Sequence, residues 1–319
     1  MTGRVEAVCV SNKKGEKKAA KSVVRLVCDH GIQGDAHAGE GHRQISLLTA
    51  EDLDTMREKG RLDLKPGDLA ENVVVSGMDL TGLGLGSRLR LGAEAEISIT
   101  QRGKVCHTRC AIYLQTGDCI MPRLGLFARV LKNGDVAPGD PVDVLELIAR
   151  NVLQVVVLTI SDRCSRCETV DTAGPAVERM IQQNLRSHIY KREIVPDEHD
   201  TIASRIRHFC DGHSIDLVIT AGGTGFSPRD VTPEAVSEVI ERPAPGLDEA
   251  MRAASFKTTP HAMLSRGVSG IRGSTLILSL PGSELAAVEN LAVVLPALGH
   301  GLSKLRGNPS NCGRRAEDQ

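Results

Sequence analysis

The sequence predicts two domains of different classes: an N-terminal β-barrel or sandwich-like domain with few helices, and a C-terminal α/β domain whose parallel sheet carries helices on both faces. The 319 residues fit two domains at about 100–200 residues each. The pattern also changes near 148–152, from short β-like runs separated by turns to strands that alternate with helices. We therefore predict domains at 1–148 and 152–310, followed by a polar tail at 311–319.

Residues 1–148 contain short apolar or alternating runs separated by Gly, Asp and Pro. The predicted strands lie in the segments SVVRLVCDHGIQGD, RQISLLT, ENVVVSG, SRLRLG, AEISIT and DPVDVLEL. One helical stretch, near 50–60, interrupts them. Many short strands with frequent turns and few helices are typical of a β-barrel or sandwich.

The C-terminal domain begins with a continuous apolar run at 152–160, which is typical of a strand buried on both faces. Its last predicted helix contains Pro296, which should kink it. The alternation of strands and helices predicts a parallel sheet covered on both faces. Further strands are predicted at 189–195, 216–220 and 275–280, and helices at 172–185, 200–211, 233–241, 246–255 and 284–304.

The composition excludes several classes of function. Four Phe, two Tyr and no Trp leave few aromatic side chains to stack single-stranded nucleic acid, and a net charge of −1 lacks the positive excess of a general DNA binder. No apolar run approaches the roughly 18 residues that a membrane span needs, and the first residues lack the apolar core of a signal peptide. We expect a cytoplasmic protein that binds neither nucleic acid nor a membrane.

A glycine-rich turn follows the predicted strand at 216–220. The segment TAGGTGFSPRDVTPE places Gly222, Gly223 and Gly225 where backbone N–H groups can approach and cradle a phosphate. Thr232 is predicted to cap the helix that follows, because a proline stands directly after it. The dinucleotide fingerprint GxGxxG is absent, so a strand–helix turn without a ligand stays open as an alternative.

Carboxylates gather at the same predicted edge of the sheet. Asp197 ends one predicted strand, and Asp230 follows the glycine turn with Arg229 beside it. Ser161–Asp162 and Pro281–Ser283 follow two further strands. Because ligands of parallel sheets bind beyond the carboxyl ends of the strands, we expect these residues to converge, although each aspartate alone could be a helix cap. Two carboxylates beside a phosphate cradle suit Mg²⁺, which takes oxygen ligands and shares them with phosphates.

Five long segments occur in order through residues 152–308: TISDR, VPDE, TAGGTGFSPRDVTPE, APGLDEAMR and AMLSRGVSGIRGSTLILSLPGS. They resemble the molybdopterin adenylyltransferase family, which includes bacterial enzymes and the matching domains of gephyrin-like proteins. The resemblance implies a three-layer α/β domain with a mostly parallel sheet, often trimeric. It also implies transfer of AMP from Mg-ATP to the terminal phosphate of molybdopterin, with release of pyrophosphate.

The same resemblance implies roles for positions of this sequence. Asp197 and Asp230 match the acidic positions that the family uses for catalysis and for Mg²⁺. The chain departs from the family pattern at Cys164 and Cys167, which form either a redox or metal site or a pair of ordinary loop thiols. The positions that match the pocket for molybdopterin and ATP are Ser161, Asp162, Gly222, Gly223, Thr224, Gly225, Ser227, Arg229, Ser265, Pro281, Gly282 and Ser283.

The N-terminal domain concentrates possible metal ligands in a single segment. Cys106, His107, Cys110 and Cys119 lie close together there. The cysteine spacing lacks the paired knuckles of a zinc ribbon, whereas thiolates also suit molybdenum or sulfur transfer. Buried thiols that act as small hydrophobic residues are the alternative.

The segments HGIQGDAHAGEGHRQISLL, GDLAENVVV, GKVCHTRCAI, LFARVL and GDVAPGDPV resemble MOSC domains, and the resemblance extends over most of residues 4–146. The resemblance implies a β-rich barrel associated with molybdenum cofactor binding and sulfur handling. Cys110, in the sequence TRC, matches the cysteine that ligates molybdenum or carries sulfur in that family. The candidates for holding a pterin phosphate are His37, His42 and Arg43.

Both halves therefore point to molybdenum cofactor biosynthesis. We expect the C-terminal domain to adenylylate molybdopterin with Mg-ATP, and the N-terminal domain to bind or carry the cofactor or to handle its metal or sulfur. A homotrimer through the C-terminal domain, a separate sulfur donor and a molybdoenzyme acceptor are further expectations. The alternatives are a non-catalytic molybdopterin-binding scaffold and a structural zinc site in the N-terminal half. A molybdenum oxidoreductase is disfavoured, because the sequence shows no haem, flavin or iron–sulfur motif.

Overall fold

The computed structural model describes residues 2–60, 63–103, 113 and 119–309. Within them the chain folds as two compact units that divide between Val152 and Leu153. Several predicted features lie outside the described residues. They are the metal or sulfur ligand Cys110, its neighbours Cys106 and His107, and the tail at 311–319.

The first unit is a closed β-barrel. Eight strands form one sheet in the order β11-β7-β8-β9-β5-β6-β1-β2, and β1 also pairs with β11. This additional pairing closes the sheet on itself, which confirms the predicted N-terminal barrel. The strands are β1 (Thr2–Val10), β2 (Ala19–Lys21), β3 (Val24–Val27), β4 (Gly31–Ile32), β5 (Ile45–Thr49), β6 (Val73–Ser76), β7 (Arg88–Leu91), β8 (Ala95–Arg102), β9 (Leu126–Lys132), β10 (Gly134–Val136) and β11 (Pro141–Glu146), and the described helices are α1 (Ala50–Gly60) and α2 (Met121–Leu124).

Aliphatic side chains fill the barrel. Burial alternates along much of β8, as expected for a strand with one face towards the core. In contrast, all five residues of β5 are buried. The reason is α1, whose Leu53 and Met56 pack into one cluster with Leu48 of β5 and Phe127 of β9.

The second unit is an α/β domain. Strands and helices alternate along most of its length, as the sequence pattern predicts. The strands are β12 (Leu153–Ile160), β13 (Ser187–Val195), β14 (Leu217–Ala221), β15 (Arg242–Pro243), β16 (Gly270–Arg272) and β17 (Thr275–Leu280). The helices are α3 (Asp162–Ser165), α4 (Ala173–Asn184), α5 (His199–Gly212), α6 (Thr232–Val239), α7 (Pro245–Phe256), a 3-10 helix (Pro260–Leu264) and α8 (Glu284–Leu305).

The sheet of the second unit is mixed, so the expectation of a mostly parallel sheet is not confirmed. Its order is β13-β12-β14-β17-β16-β15. The first four strands are parallel, whereas β16 runs antiparallel to β17 and β15 runs antiparallel to β16. The two antiparallel strands are two or three residues long, and β16 joins β17 through a hairpin at Gly273, which has φ of +56°. Strands this short show no apolar period that sequence reasoning could detect.

Helices cover both faces of this sheet, as predicted. On one face α4 and α7 both pack against α8, and Leu217 and Ile219 of β14 join a core cluster with Leu291 of α8. Val218 lies between those two strand residues and points to the opposite face, where it is also buried. The helices α5 and α6 pack together there.

The helix α8, with 22 residues, is long and apolar enough to cross a membrane by length and composition alone. The sequence analysis expected no such segment. Leu291, Val294, Leu298 and Leu302 of this helix are buried in the core of the second unit. We therefore assign α8 to the protein core, with Pro296 inside it.

Replacing Gly301 by Ala is expected to stabilise the second unit. Gly301 lies within α8, and a Cβ atom there would meet nothing within 4 Å. The substitution should raise the free energy of unfolding by about 1 kcal/mol, because glycine is a poor helix former. Thermal unfolding checks this, with Gly174→Ala in α4 as the contrast, since a Cβ there would lie 2.4 Å from Asp171 Oδ2. A melting temperature that falls in Gly301→Ala would contradict the prediction.

Candidate active site

The candidate site lies at the carboxyl ends of the four parallel strands. Ser161–Asp162 follow β12, Asp197 follows β13, Gly222–Gly225 follow β14, and Pro281–Ser283 follow β17. The structure therefore brings these predicted residues to one edge of the sheet, as expected for a parallel α/β domain.

Two aspartates and an arginine form a hydrogen-bonded group at this edge. The Asp162 amide donates to Asp197 Oδ2 at 2.7 Å, and the Asp197 amide donates to Asp162 Oδ1 at 3.1 Å. Arg229 donates from Nε and Nη2 to the two carboxylate oxygens of Asp162, both at 2.9 Å. The reciprocal bonds tie the end of β12 to the end of β13, and the arginine neutralises one of the two carboxylates.

The two carboxyl groups are electrostatically different. The hydrogen bond from Arg229 lowers the pKa of Asp162. Burial raises the pKa of Asp197, and the charges of Asp162 and Asp230 add to that effect. Asp197 is thus a desolvated carboxylate whose negative charge is poorly compensated within the protein, which favours a bound cation.

The glycine turn has no room for side chains. Gly222 has φ of +119°, and a Cβ atom on it would lie 2.2 Å from the carbonyl oxygen of Ile160. A Cβ atom on Gly223, with φ of +63°, would lie 2.3 Å from Thr232 Oγ1 and 3.0 Å from Asp197 Oδ1. Glycine at these positions lets the turn pack against β12 and leaves its backbone open beside the carboxylate.

Thr232 is not the N-cap that the sequence predicted. The helix α6 begins at Thr232, and its N-cap is Val231, which makes no side-chain cap. The Thr232 amide donates to the carbonyl of Gly223 at 3.1 Å, so this residue fastens the turn through its backbone. Its hydroxyl is buried beside Gly223 and has no hydrogen-bond partner among the described residues.

Arg266 braces the turn, and the sequence analysis missed it. Its Nε donates to the carbonyl of Gly225 at 2.7 Å and its Nη2 to the carbonyl of Asp230 at 2.5 Å, while Nη1 pairs with Glu234. These bonds hold both ends of the loop that carries Asp230. The one sequence signal for Arg266 is that it directly follows Ser265, a predicted pocket residue, in the segment AMLSRG.

Asp171 is a second residue that the sequence analysis missed. It accepts from Thr159 Oγ1 at 2.9 Å and from the Gly174 amide at 2.9 Å, so it caps the start of α4 and ties it to β12. An acidic residue just before a helix is a recognisable capping signal. That signal does not reveal that Asp171 also lines a cavity with Asp162 and Asp197.

Two cavities meet at the glycine turn, with volumes of about 460 Å³ and 450 Å³. Both are lined by Gly223, Asp230, Gly282 and Ser283. The first, which we call the carboxylate cavity, also contains Ser161, Asp162, Asp171, Asp197 and Gly222. The second, which we call the hydroxyl cavity, also contains Thr224, Gly225, Arg252, Ser255, Ser265 and Pro281.

Two residues predicted to bind ligand line neither cavity. The Ser227 amide donates to Asp230 Oδ2 at 2.9 Å, and Arg229 is engaged with Asp162. In the structure Ser227 orients Asp230, and Arg229 orients Asp162.

The oxygen-rich carboxylate cavity fits a magnesium ion that is shared with a phosphate. Asp197 Oδ1 faces the glycine turn and Asp230 lies across it. In the described part of the chain, no three His, Cys, Asp or Glu side chains are arranged to hold a metal by themselves. The ion would therefore complete its shell with phosphate oxygens and water, which is usual for Mg²⁺.

In the first unit, His37 lies against a buried ion pair. Lys18 Nζ lies 2.6 Å from Asp35 Oδ2, with side-chain exposures of 1% and 0%, and 3.1 Å from His37 Nδ1. Although burial raises it, the pKa of Asp35 is lowered overall by hydrogen bonds from His37 and Lys18. The pair therefore anchors the segment that carries His37.

The other two residues predicted to hold a pterin phosphate both contact Gln101. His42 Nε2 and Arg43 Nε lie 2.8 Å and 2.6 Å from Gln101 Oε1. Cys119, a predicted neighbour of the thiol site, is buried in the cluster beneath α1.

Comparisons with known proteins agree with this division of the chain. A family described as a probable molybdopterin binding domain matches residues 156–300, and the MOSC domain family matches residues 34–143. Molybdopterin adenylyltransferase of Helicobacter pylori strain J99 is 39% identical over 157 residues, covering 49% of this chain and 89% of that protein. Gephyrin of Dictyostelium discoideum is 42% identical over 49% of this chain, which spans only 23% of gephyrin.

Among solved structures, the molybdopterin biosynthesis enzyme MoaB of Thermus thermophilus is 44% identical. The match covers 50% of this chain and all of that one, with a TM-score of 0.47. Because the Helicobacter pylori enzyme is 39% identical and 89% of its length is covered, the chain belongs to the molybdopterin adenylyltransferase family, and it carries a MOSC domain on the N-terminal side.

Proposed function

We propose that the C-terminal unit transfers AMP from Mg-ATP to the terminal phosphate of molybdopterin and releases pyrophosphate. The observation that carries this proposal is the pair of cavities that meet at Gly223 and Asp230. Adenylylation brings two anionic substrates together at one phosphorus atom, and two adjoining cavities with a common wall suit that requirement.

The linings of the two cavities suggest which substrate each one takes. The carboxylate cavity would repel a bare triphosphate, so it suits the magnesium nucleotide. The hydroxyl cavity contains Arg252, Ser255 and Ser265, which can donate to the phosphate of molybdopterin. Gly282 and Ser283 line both cavities and lie where the two substrates would meet.

The reaction is an in-line displacement, in which a phosphate oxygen of molybdopterin attacks the α-phosphorus of ATP and pyrophosphate leaves. Asp197 and Asp230 would hold magnesium, which when bound would supply charge neutralisation on the nucleotide phosphates. The backbone N–H groups of Gly223–Gly225 would lie close to the reacting phosphate, whereas the Gly222 amide donates to the carbonyl of Leu280. Arg229 and Arg266 orient the aspartates and the turn. Catalysis thus rests on positioning and charge stabilisation.

Pyrophosphate release from purified protein tests the proposal. Molybdopterin, ATP and Mg²⁺ together should give release, and omission of any one should abolish it. If the chain bound molybdopterin but released no pyrophosphate under these conditions, the alternative of a non-catalytic scaffold would replace the proposal.

Replacing Arg266 by Met is expected to slow pyrophosphate release about ten- to a hundredfold, because the loop carrying Asp230 loses two hydrogen bonds and its link to Glu234 of α6. The loss should appear mainly in kcat, and steady-state kinetics measure it. Arg242→Met is the matched control, since the side chain of exposed Arg242 has one described hydrogen bond, to the carbonyl of Gly273. Equal rates in the two variants would contradict a positioning role for Arg266.

The apparent affinity for Mg²⁺ is expected to fall as the pH becomes acidic. Burial raises the pKa of Asp197, so this carboxyl group takes up a proton at a higher pH than an exposed aspartate does. The protonated form cannot bind Mg²⁺, and added magnesium should therefore restore activity in mildly acidic buffer. The measurement is the KM for Mg²⁺ as a function of pH, and a KM that stays constant while the rate falls would contradict the assignment.

For the N-terminal unit, we propose that the MOSC domain binds or carries the molybdenum cofactor, or handles its metal or sulfur, through Cys110. Its family match and the anchored His37 segment support this proposal. The full chain would be purified anaerobically after co-expression with molybdopterin-making enzymes, and metals and pterin quantified in wild type and Cys110→Ala. Loss of molybdenum and pterin in the variant is expected, whereas zinc alone would favour a structural zinc site.

We propose that the protein acts in the cytoplasm as a homotrimer. Its proposed partners are a sulfur donor and a molybdoenzyme that accepts the cofactor.

A further inference from the structure

Cys164 and Cys167 lie at the two ends of one tight turn. The Cys167 amide donates to the carbonyl of Cys164 at 3.0 Å, which closes a four-residue turn. The ends of such a turn lie within about 7 Å between Cα atoms. Disulfides in proteins span about 4.4–6.8 Å between Cα atoms, so the backbone already places the two residues at a separation that a disulfide can bridge.

These two thiols differ from the other described cysteines. Burial raises the pKa of the Cys9 and Cys210 thiols to about 12, which makes them unreactive, and Cys119 is buried in the barrel. In contrast, Cys167 is exposed and Cys164 is half-buried, and both are free thiols. Cys28 is also exposed, but its thiol donates to the carbonyl of Leu131.

The turn is coupled to the carboxylate cavity. Cys164 itself lines that cavity, and its Sγ lies 3.4 Å from Thr169 Oγ1 in the same wall. Its amide donates to Ser161 Oγ at 3.2 Å. Ser161 directly precedes Asp162, whose backbone and side chain hold Asp197. A covalent bond at Cys164 would thus act on the short segment that positions this carboxylate.

We propose that Cys164 and Cys167 form a reversible disulfide that slows turnover in the carboxylate cavity. The oxidant is a small-molecule disulfide of the glutathione class. One cysteine thiolate attacks it and forms a mixed disulfide with release of one thiolate; the second cysteine thiolate then attacks the protein-bound sulfur and releases the other. Two protein thiols are oxidised, one small disulfide is reduced to two thiols, and the two protons pass to the leaving thiolates.

A disulfide would hold Cys164 Sγ about 2 Å from Cys167 Sγ, and so would constrain a side chain that contacts Thr169 Oγ1 in the cavity wall. We expect the constraint to reach the Ser161–Asp162 segment through the hydrogen bond from the Cys164 amide to Ser161 Oγ. The effect on turnover rests on the proposed adenylyl transfer, for which we expect a decrease of about tenfold. Disulfide formation itself does not depend on that activity.

Peptide mapping of the full chain tests the disulfide directly. The protein is equilibrated with oxidised and reduced glutathione, its free thiols are alkylated, and it is cut with trypsin. Trypsin cleaves after Arg163, Arg166 and Arg179, so the disulfide would join peptide 164–166 to peptide 167–179. We expect this linked species in wild type and in the control Cys28→Ser, its loss in Cys164→Ser and Cys167→Ser, and its removal by dithiothreitol. Peptides that stay unlinked at every glutathione ratio would overturn the proposal.

Two further measurements test the coupling to the site. Pyrophosphate release should fall about tenfold on oxidation of wild type and stay unchanged in Cys167→Ser. Hydrogen exchange of residues 159–172 should differ between the oxidised and reduced protein, and this readout needs no turnover. A linked peptide with unchanged exchange would overturn the coupling. If the reduced protein released no pyrophosphate but the linked peptide still formed on oxidation, the proposed adenylyl transfer would be wrong. The proposed disulfide would still be supported.

Discussion

Replacing Asp197 by Asn is expected to lower the rate of pyrophosphate release about a hundred- to a thousandfold. Asn keeps an oxygen that accepts the Asp162 amide, so the local backbone should remain in place. It loses the negative charge that attracts Mg²⁺. Asp230→Asn should act in the same direction, because Asp230 lines both cavities. The measurement is kcat/KM at saturating magnesium.

The same variant should be at least as stable as wild type at neutral pH. Burial raises the pKa of Asp197, so the folded state is penalised when this carboxyl group is ionised. The penalty is absent below the usual pKa of an aspartate and is complete once the pH has risen above the raised pKa. A neutral Asn avoids it, and an unchanged or higher melting temperature is expected. The matched control is exposed Asp200→Asn, and a comparable loss of rate there would contradict the assignment of Asp197.

Replacing Gly222 by Ala is expected to lower the free energy of unfolding by about 3–5 kcal/mol, because two costs combine. A φ of +119° is strained for any side chain, and the new Cβ atom would lie 2.2 Å from the carbonyl oxygen of Ile160. That oxygen belongs to backbone at the end of β12 and cannot move aside as a flexible side chain can. Activity should be lost together with stability, since the turn must shift.

Urea-induced unfolding of wild type and variant measures this effect. Gly246→Ala is the matched control, because Gly246 lies in the first turn of α7 and a Cβ there would meet nothing within 4 Å. The control should be neutral or slightly stabilising. If Gly222→Ala unfolded at the same urea concentration as wild type, the close packing of the turn against β12 would be contradicted.

The place of the site could be predicted because it depends on short-range patterns. Each of its loops directly follows an apolar run that is recognisable as a strand, and parallel strands present their carboxyl ends at one edge. Asp197 and the glycine turn could therefore be expected to converge. The barrel of the first unit was also predictable, from many short runs separated by turns.

Other features could not be predicted, because they depend on contacts between distant residues. Arg266 reaches Gly225 across 41 positions, and no local pattern marks that contact. The closure of the barrel is a pairing of β1 with β11, at opposite ends of the first unit. The antiparallel strands β15 and β16 are too short to show a period. Thr232 was misassigned as a cap because the predicted helix start was one residue too late.

The burial of Asp197 indicates that the site is not arranged for stability alone. A carboxylate whose pKa is raised by burial costs free energy in the folded state once it is ionised. This carboxylate lines the carboxylate cavity beside the glycine turn, where a bound cation would offset that cost.

The most direct test of this account is the product of a single-turnover reaction. Purified chain, molybdopterin, ATP and Mg²⁺ are mixed anaerobically, and the pterin is identified by mass spectrometry while pyrophosphate is quantified. The account predicts adenylylated molybdopterin and pyrophosphate in equal amounts from wild type and neither from Asp197→Asn. Molybdopterin recovered unmodified from wild type, with ATP intact, would contradict it.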